Sequence, residues 1–139
     1  MGDERVLRRQ VAVRAGYRCE YCRVPERWTS LPFQVDHVIA EKHEGATAFD
    51  NLAYACLHCN SFKGPNIAGR DRETGQTVRL FDPRHDVWNE HFEWDDALLI
   101  GRTGVGRATI AVLKINLAHR VAARMSLIHE GLFDLRGGP

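Results

Sequence analysis

Lysine is scarce in this sequence: only three of the 19 basic residues are Lys, at 42, 63 and 114, and the other sixteen are Arg. No apolar run exceeds six residues, Leu52 to Leu57. A membrane-crossing helix needs about 20, so a bilayer span is excluded. An excess of one charge is also missing, with 19 basic residues set against 18 acidic ones. The whole surface is therefore not an electrostatic lure for polyanions. Internal repeats and low-complexity stretches are absent, which excludes solenoids and disordered tails. No apolar block follows the charged opening Met1-Gly2-Asp3-Glu4-Arg5, and Val6 stands where an acylation signal would want Ser or Thr. The expectation is a cytoplasmic protein with no membrane partner.

What remains describes an ordinary folded chain. Its 139 residues suit one domain, and 44% hydrophobic with 27% charged residues excludes bulk disorder. The charge is unevenly placed. Residues 1–30 carry +3 and residues 101–139 carry +4, while residues 31–59 sum to −3 and residues 87–100 to −4. Arg forks onto phosphate, so the two basic ends suit either a phosphate-tracking surface or simple solvation.

The cysteines carry the sharpest signal. Cys19 and Cys22 form one CxxC pair, Cys56 and Cys59 another, with 33 residues between the pairs. Without a secretory leader a disulfide framework is not expected. A two-residue spacer lets both sulfurs of a tight turn reach one ion, and two such knuckles make a tetrahedral thiolate site. Structural zinc is the expected occupant, with a redox dithiol or a four-thiolate iron site as alternatives. A closed four-sulfur site leaves no open position, so this zinc holds the fold.

Periodicity gives the elements. Leu7, Val11 and Ala15 mark a helix over 4–15 that ends at Gly16, with Arg5, Arg8 and Arg9 beside the stripe. Strands are expected over 31–37 and 52–56, with a polar loop between them and a short helix from the second knuckle to Gly64-Pro65. Residues 67–81 read as a hairpin turning at Glu73–Gln76, and a second hairpin turns at Asp95-Asp96. Two helices close the chain. One starts near Gly104, and the other is capped by Asn116, carries Leu117, Val121, Met125 and Ile128, and ends at Gly131. His43 and His58 read as loop and surface histidines. Trp28, Trp88 and Trp94 read as core or partly buried aromatics.

Between the cysteine pairs lie Val35-Asp36-His37-Val38-Ile39, Asp50-Asn51-Leu52 and Cys59-Asn60-Ser61-Phe62-Lys63-Gly64. Asp36 and Asn60 offer hard oxygens to a divalent cation, and His37 can take a proton from water. Each also has a plain structural reading: Asp36 as a turn cap, His37 as a strand-end histidine, Asn51 as an Asx turn, Asn60 as a helix N-cap, Lys63 as a solvated lysine.

Taken together, GYRCEYC, VDHVIAEKHEG and NLAYACLHCNSFKG resemble the HNH endonuclease family over roughly residues 14–64. The resemblance implies an α+β fold: a zinc-stapled ββα-metal finger followed here by β-hairpins and two C-terminal helices. It implies one domain over 1–139, with a nuclease core at 14–64 and a family-specific extension at 65–139. It implies DNA hydrolysis to 5′-phosphate and 3′-hydroxyl ends, with double-stranded DNA held in its minor groove. His37 would be the general base. Asp36 and Asn60 would be ligands of a catalytic Mg²⁺ or Mn²⁺, and Asn51 would pin the loop. Asn60 stands where many members have His, so the chain is an HNN variant, and Glu44-Gly45 stands where many have Gly-Gly. Lys63, Arg107, Lys114, Arg120 and Arg124 are the candidate nucleic-acid contacts. The alternative is a non-catalytic zinc-ribbon module that binds nucleic acid. Neighbouring strand residues point to opposite faces. Asp36 and His37 can therefore serve one phosphate only if the strand breaks at His37.

Overall fold

The structure, a computed structural model, describes residues 2–135. Its first element is helix α1 (Gly2–Arg14). Val11, Ala12 and Ala15 are buried on one face, and Gly16, at φ +66°, ends the helix. The chain then forms the first cysteine knuckle and reaches strand β1 (Gln34–His37).

Two short 3-10 turns follow, at Glu41–His43 and Phe49–Asn51. They lead into strand β2 (Leu52–Ala55), which is buried along its whole length. β2 pairs antiparallel with β1, with Asp36 opposite Ala53 and His37 opposite Leu52. Helix α2 (Leu57–Lys63) starts directly after β2. Its N-cap is Cys56, whose sulfur accepts the Cys59 N–H at 3.4 Å. Asn60 therefore lies inside the helix, and the N-cap reading of Asn60 is corrected.

The described remainder is two hairpins, a one-turn helix and two longer helices. Strands β3 (Ala68–Arg70) and β4 (Thr77–Arg79) form a hairpin. Helix α3 (Trp88–His91) is one turn that periodicity does not reveal. Strands β5 (Phe92–Asp95) and β6 (Leu98–Gly101) form the hairpin expected around Asp95-Asp96. Helices α4 (Gly104–Leu113) and α5 (Ala118–His129) close the described chain. Thr103 caps α4 by accepting the Gly106 N–H at 3.1 Å.

Asn116 does not cap α5, whose N-cap is Leu117. The Asn116 amide instead mimics a strand neighbour: Oδ1 accepts the Leu99 N–H at 3.0 Å and Nδ2 donates to the Leu99 carbonyl at 2.8 Å. Leu99 is buried, so its backbone groups need such partners. This demand outweighs the local preference of Asn for a cap.

One hydrophobic core joins finger and extension, running from Val11 through Tyr21, Phe33 and Leu52 to Phe81, Trp88, Leu99 and Ile115. Trp88 lies in this core and Trp94 packs against it, whereas Trp28 is exposed. The first knuckle is gripped by the extension. Trp88 Nε1 donates to the Tyr21 carbonyl at 2.9 Å, and Arg84 ion-pairs with buried Glu20. No helix among the described residues is long and apolar enough to cross a membrane.

Candidate metal centre and catalytic site

Cys19, Cys22, Cys56 and Cys59 converge, with all four sulfurs within 4.8 Å of one another and all four residues buried. Zinc–sulfur bonds of about 2.3 Å give tetrahedral sulfur–sulfur edges of about 3.8 Å. The Cys22 and Cys56 sulfurs are 3.8 Å apart. In each knuckle the second cysteine's N–H points at the first cysteine's sulfur, at 3.4 Å. Those N–H groups favour thiolate over thiol. The donor set and spacing are those of a structural zinc site.

Beside this centre, β1 presents its two central candidates on opposite faces. Asp36 is 4% exposed and turns inward. His37 turns outward, with its side chain 23% exposed. Strand alternation alone dictates this split. The chain leaves regular strand geometry after His37, and two contacts hold the exit. Lys63 Nζ donates to the carbonyls of His37 and Val38 at 3.0 and 3.3 Å. The Asn51 amide grips the loop: Oδ1 accepts the Ile39 N–H at 2.9 Å, and Nδ2 donates to the carbonyls of Ile39 and Ala46 at 3.0 and 2.8 Å.

The loop between the strands is tightly made. Glu44 adopts φ +67°, a left-handed conformation in which a side chain is unfavourable. Next to it, a Cβ on Gly45 would lie 1.6 Å from the Ile39 carbonyl oxygen and 2.9 Å from Asn51 Nδ2, so only glycine fits. This packing seats Thr47 with Oγ1 2.9 Å from His37 Nε2. Glu41 Oε1 lies 3.7 Å from the same nitrogen.

Asp36 is fully engaged. Lys63 Nζ is 3.2 Å from both carboxylate oxygens, and Tyr21 Oη donates to Oδ2 at 2.7 Å. Burial nonetheless raises the Asp36 carboxyl above its ordinary range, against the pull of Lys63 and Tyr21. Tyr21 is itself buried, and its hydroxyl is pushed well up by burial and by Asp36. Tyr21, Thr47 and Glu20 carry no motif signal. Tyr21 and Glu20 stand between two zinc ligands, and that position is the only hint the sequence offers for them.

The structure gives four of the nucleic-acid candidates protein partners. Lys63 is 1% exposed and closed over by its oxygen partners, so it does not present a charge to phosphate. Arg124 is 2% exposed, with its guanidinium bonded to Ala97, Ile115 and Asn116. Arg107 forms a bidentate pair with Asp71 at 2.9 and 3.0 Å. Arg120 points at the four-cysteine cluster, 3.7 Å from Cys56 Sγ. The physical reason is common to all four: each lies against a buried or acidic group that helical periodicity cannot reveal. Lys114 is exposed, its ammonium over the Phe62 ring at 5.2 Å.

A two-stranded sheet and a helix, joined by four clustered cysteines that could hold a metal ion, define a ββα finger. Residues 19–66 match the family model of the HNH endonucleases. No curated protein and no solved structure matches this chain. The family match points to nuclease chemistry on nucleic acid and to a metal site.

Proposed function

We propose that the chain is a metal-dependent endonuclease that hydrolyses phosphodiester bonds in double-stranded DNA. The observation that carries this reading is the setting of His37 inside the family-matched segment. It is an accessible imidazole at a strand end, with Nε2 held by Thr47 and its loop pinned by Asn51. A hydroxyl accepting from Nε2–H leaves the Nδ1 lone pair to take a proton from water.

The donor chemistry suits a hard cation. The Asp36 carboxylate and Asn60 amide oxygens would hold Mg²⁺ or Mn²⁺ together with waters. When bound, the ion supplies positive charge for the negative charge that develops on phosphate oxygens. Both Asp36 oxygens are bonded to Lys63 or Tyr21, so holding the ion would require one of these partners to give way. Residues 14–64 are the nuclease core and residues 65–139 the family-specific extension of a single domain, and the location is cytoplasmic.

The Lys63–Asp36 pair favours a second reading, a zinc-stapled nucleic-acid-binding module in which Asp36 is structural. Plasmid nicking separates the two. Cleavage that requires Mg²⁺ or Mn²⁺ and falls about 10²–10⁴-fold in His37→Ala, with zinc content unchanged, supports the nuclease. Duplex binding with no metal-dependent cleavage supports the module.

A further inference from the structure

The last helix carries an arginine whose role is unexplained by any nuclease chemistry. Four thiolates around one Zn²⁺ leave a net charge of −2, and all four cysteines are buried. Buried charge is costly unless a counter-charge lies close. Among the described residues, Arg23, Arg120 and Arg124 are arginines whose charge is felt by these cysteines, as is the His58 imidazole. Arg23 lies over the Trp88 ring, 5.0 Å from its centroid. Arg124 gives its guanidinium to the carbonyls of Ala97 and Ile115, each at 2.9 Å, and to Asn116 Oδ1 at 3.0 Å. Arg120 alone donates to a cysteine sulfur, with Nη2 3.7 Å from Cys56 Sγ.

The two helix arginines divide the work by position. Residues four apart share a helix face. Arg124 anchors α5 to the β5–β6 turn and to the segment after α4. That anchor fixes the face that Arg120, one turn earlier, turns toward the sulfurs. Asn116 stiffens the anchor, since its Oδ1 also accepts from Leu99.

We infer that Arg120, carried on helix α5, is the counter-charge of the four-thiolate metal centre and that this charge retains the ion. The sulfur–guanidinium contact lowers the charge on the thiolates and blocks their approach by protons or a competing chelator. Partners of this outer kind govern metal retention by about 10–100-fold. The extension then has a defined task, to keep the zinc of the finger in place.

The test is transfer of Zn²⁺ from the full-length, zinc-loaded protein to a chromophoric chelator. Arg120→Met and the shorter, polar but uncharged Arg120→Gln should release zinc about 10–100-fold faster than the wild type. Arg120→Lys, which keeps the charge, should stay within about threefold of it. Leu127→Ala loosens the packing of α5 without touching a sulfur and should also stay within about threefold. If Arg120→Met does not fold, the Gln and Lys variants decide. Wild-type release from Arg120→Gln overturns the proposal. So does release from Leu127→Ala as fast as from Arg120→Gln, because cover would then matter and charge would not. A protein with no nuclease activity at all would give the same zinc kinetics, so failure here and failure of the nuclease reading are separable.

Discussion

Lys63 and Asp36 form a buried ion pair, with the Lys63 ammonium 3.2 Å from both Asp36 carboxylate oxygens and the two residues 1% and 4% exposed. Removing one partner strands the other charge, at a cost of about 3–5 kcal/mol. Lys63→Met should therefore lose about 3 kcal/mol or more in urea unfolding. The double variant Lys63→Met with Asp36→Asn should recover much of that loss. Additive losses would show that the two charges do not stabilise each other.

Removal of zinc should unfold the finger. Four-thiolate sites contribute on the order of 10 kcal/mol of apparent binding energy, comparable to the stability of a whole domain. Cys22→Ser, or prolonged chelation of the wild type, should abolish cooperative thermal unfolding and near-ultraviolet dichroism. A metal-free protein with a sharp transition would defeat the zinc assignment.

Thr47 should matter to cleavage and not to the fold, because it is exposed and touches the His37 ring. Thr47→Val removes one hydrogen bond worth about 1 kcal/mol, or about fivefold in rate. Nicking should slow by that factor, with the melting temperature unchanged. Thr47→Ser should restore the rate.

The loop conformation can be tested at adjacent positions. Glu44→Gly relieves a left-handed residue and should stabilise by about 0.5–1 kcal/mol. Gly45→Ala places a methyl against the Ile39 carbonyl and should destabilise by about 3 kcal/mol or more. Equal melting temperatures for the two variants would show that the loop is built differently.

Acid stability should reveal Asp71. The Arg107 guanidinium, forked onto its carboxylate, holds the Asp71 carboxyl well below the usual carboxylate range. A depressed folded-state value adds stability above the unfolded value near 4, and that stability fades as pH falls toward the folded value. The stability gap between wild type and Asp71→Asn should be constant above about pH 5 and shrink below about pH 4. A gap independent of pH would mean that the carboxylate's charge is not what Arg107 uses.

Local chemistry was legible and tertiary demand was not. The knuckles, the β1–loop–β2–α2 order and both hairpins follow from spacing, turn residues and alternation, which act over a few positions. The sequence also marks Cys19, Cys22, Cys56 and Cys59 as one cluster, because two CxxC turns have one economical arrangement. The burial of Lys63 is different. Its solvated reading fails because α2 lies against β1, so a long side chain on that face meets the oxygens of Asp36, His37 and Val38. Arg124 and Asn116 depart from the sequence expectation for the same reason: each answers a buried carbonyl or N–H on a segment distant in sequence. Tyr21 was invisible as a site residue because its hydroxyl finds Asp36 only after the strand is in place.

The grip of Trp88 on the Tyr21 carbonyl spans 67 residues of chain, and that of Arg84 on Glu20 spans 64. During synthesis the finger leaves the ribosome well before these partners do. A nascent chain that has reached Gly64 holds every cysteine and every candidate of the site, but Tyr21 and Glu20 stand uncovered. The site's final shape is set late, when the C-terminal half arrives. Fragments that stop after the matched segment should therefore mature poorly, even when supplied with zinc.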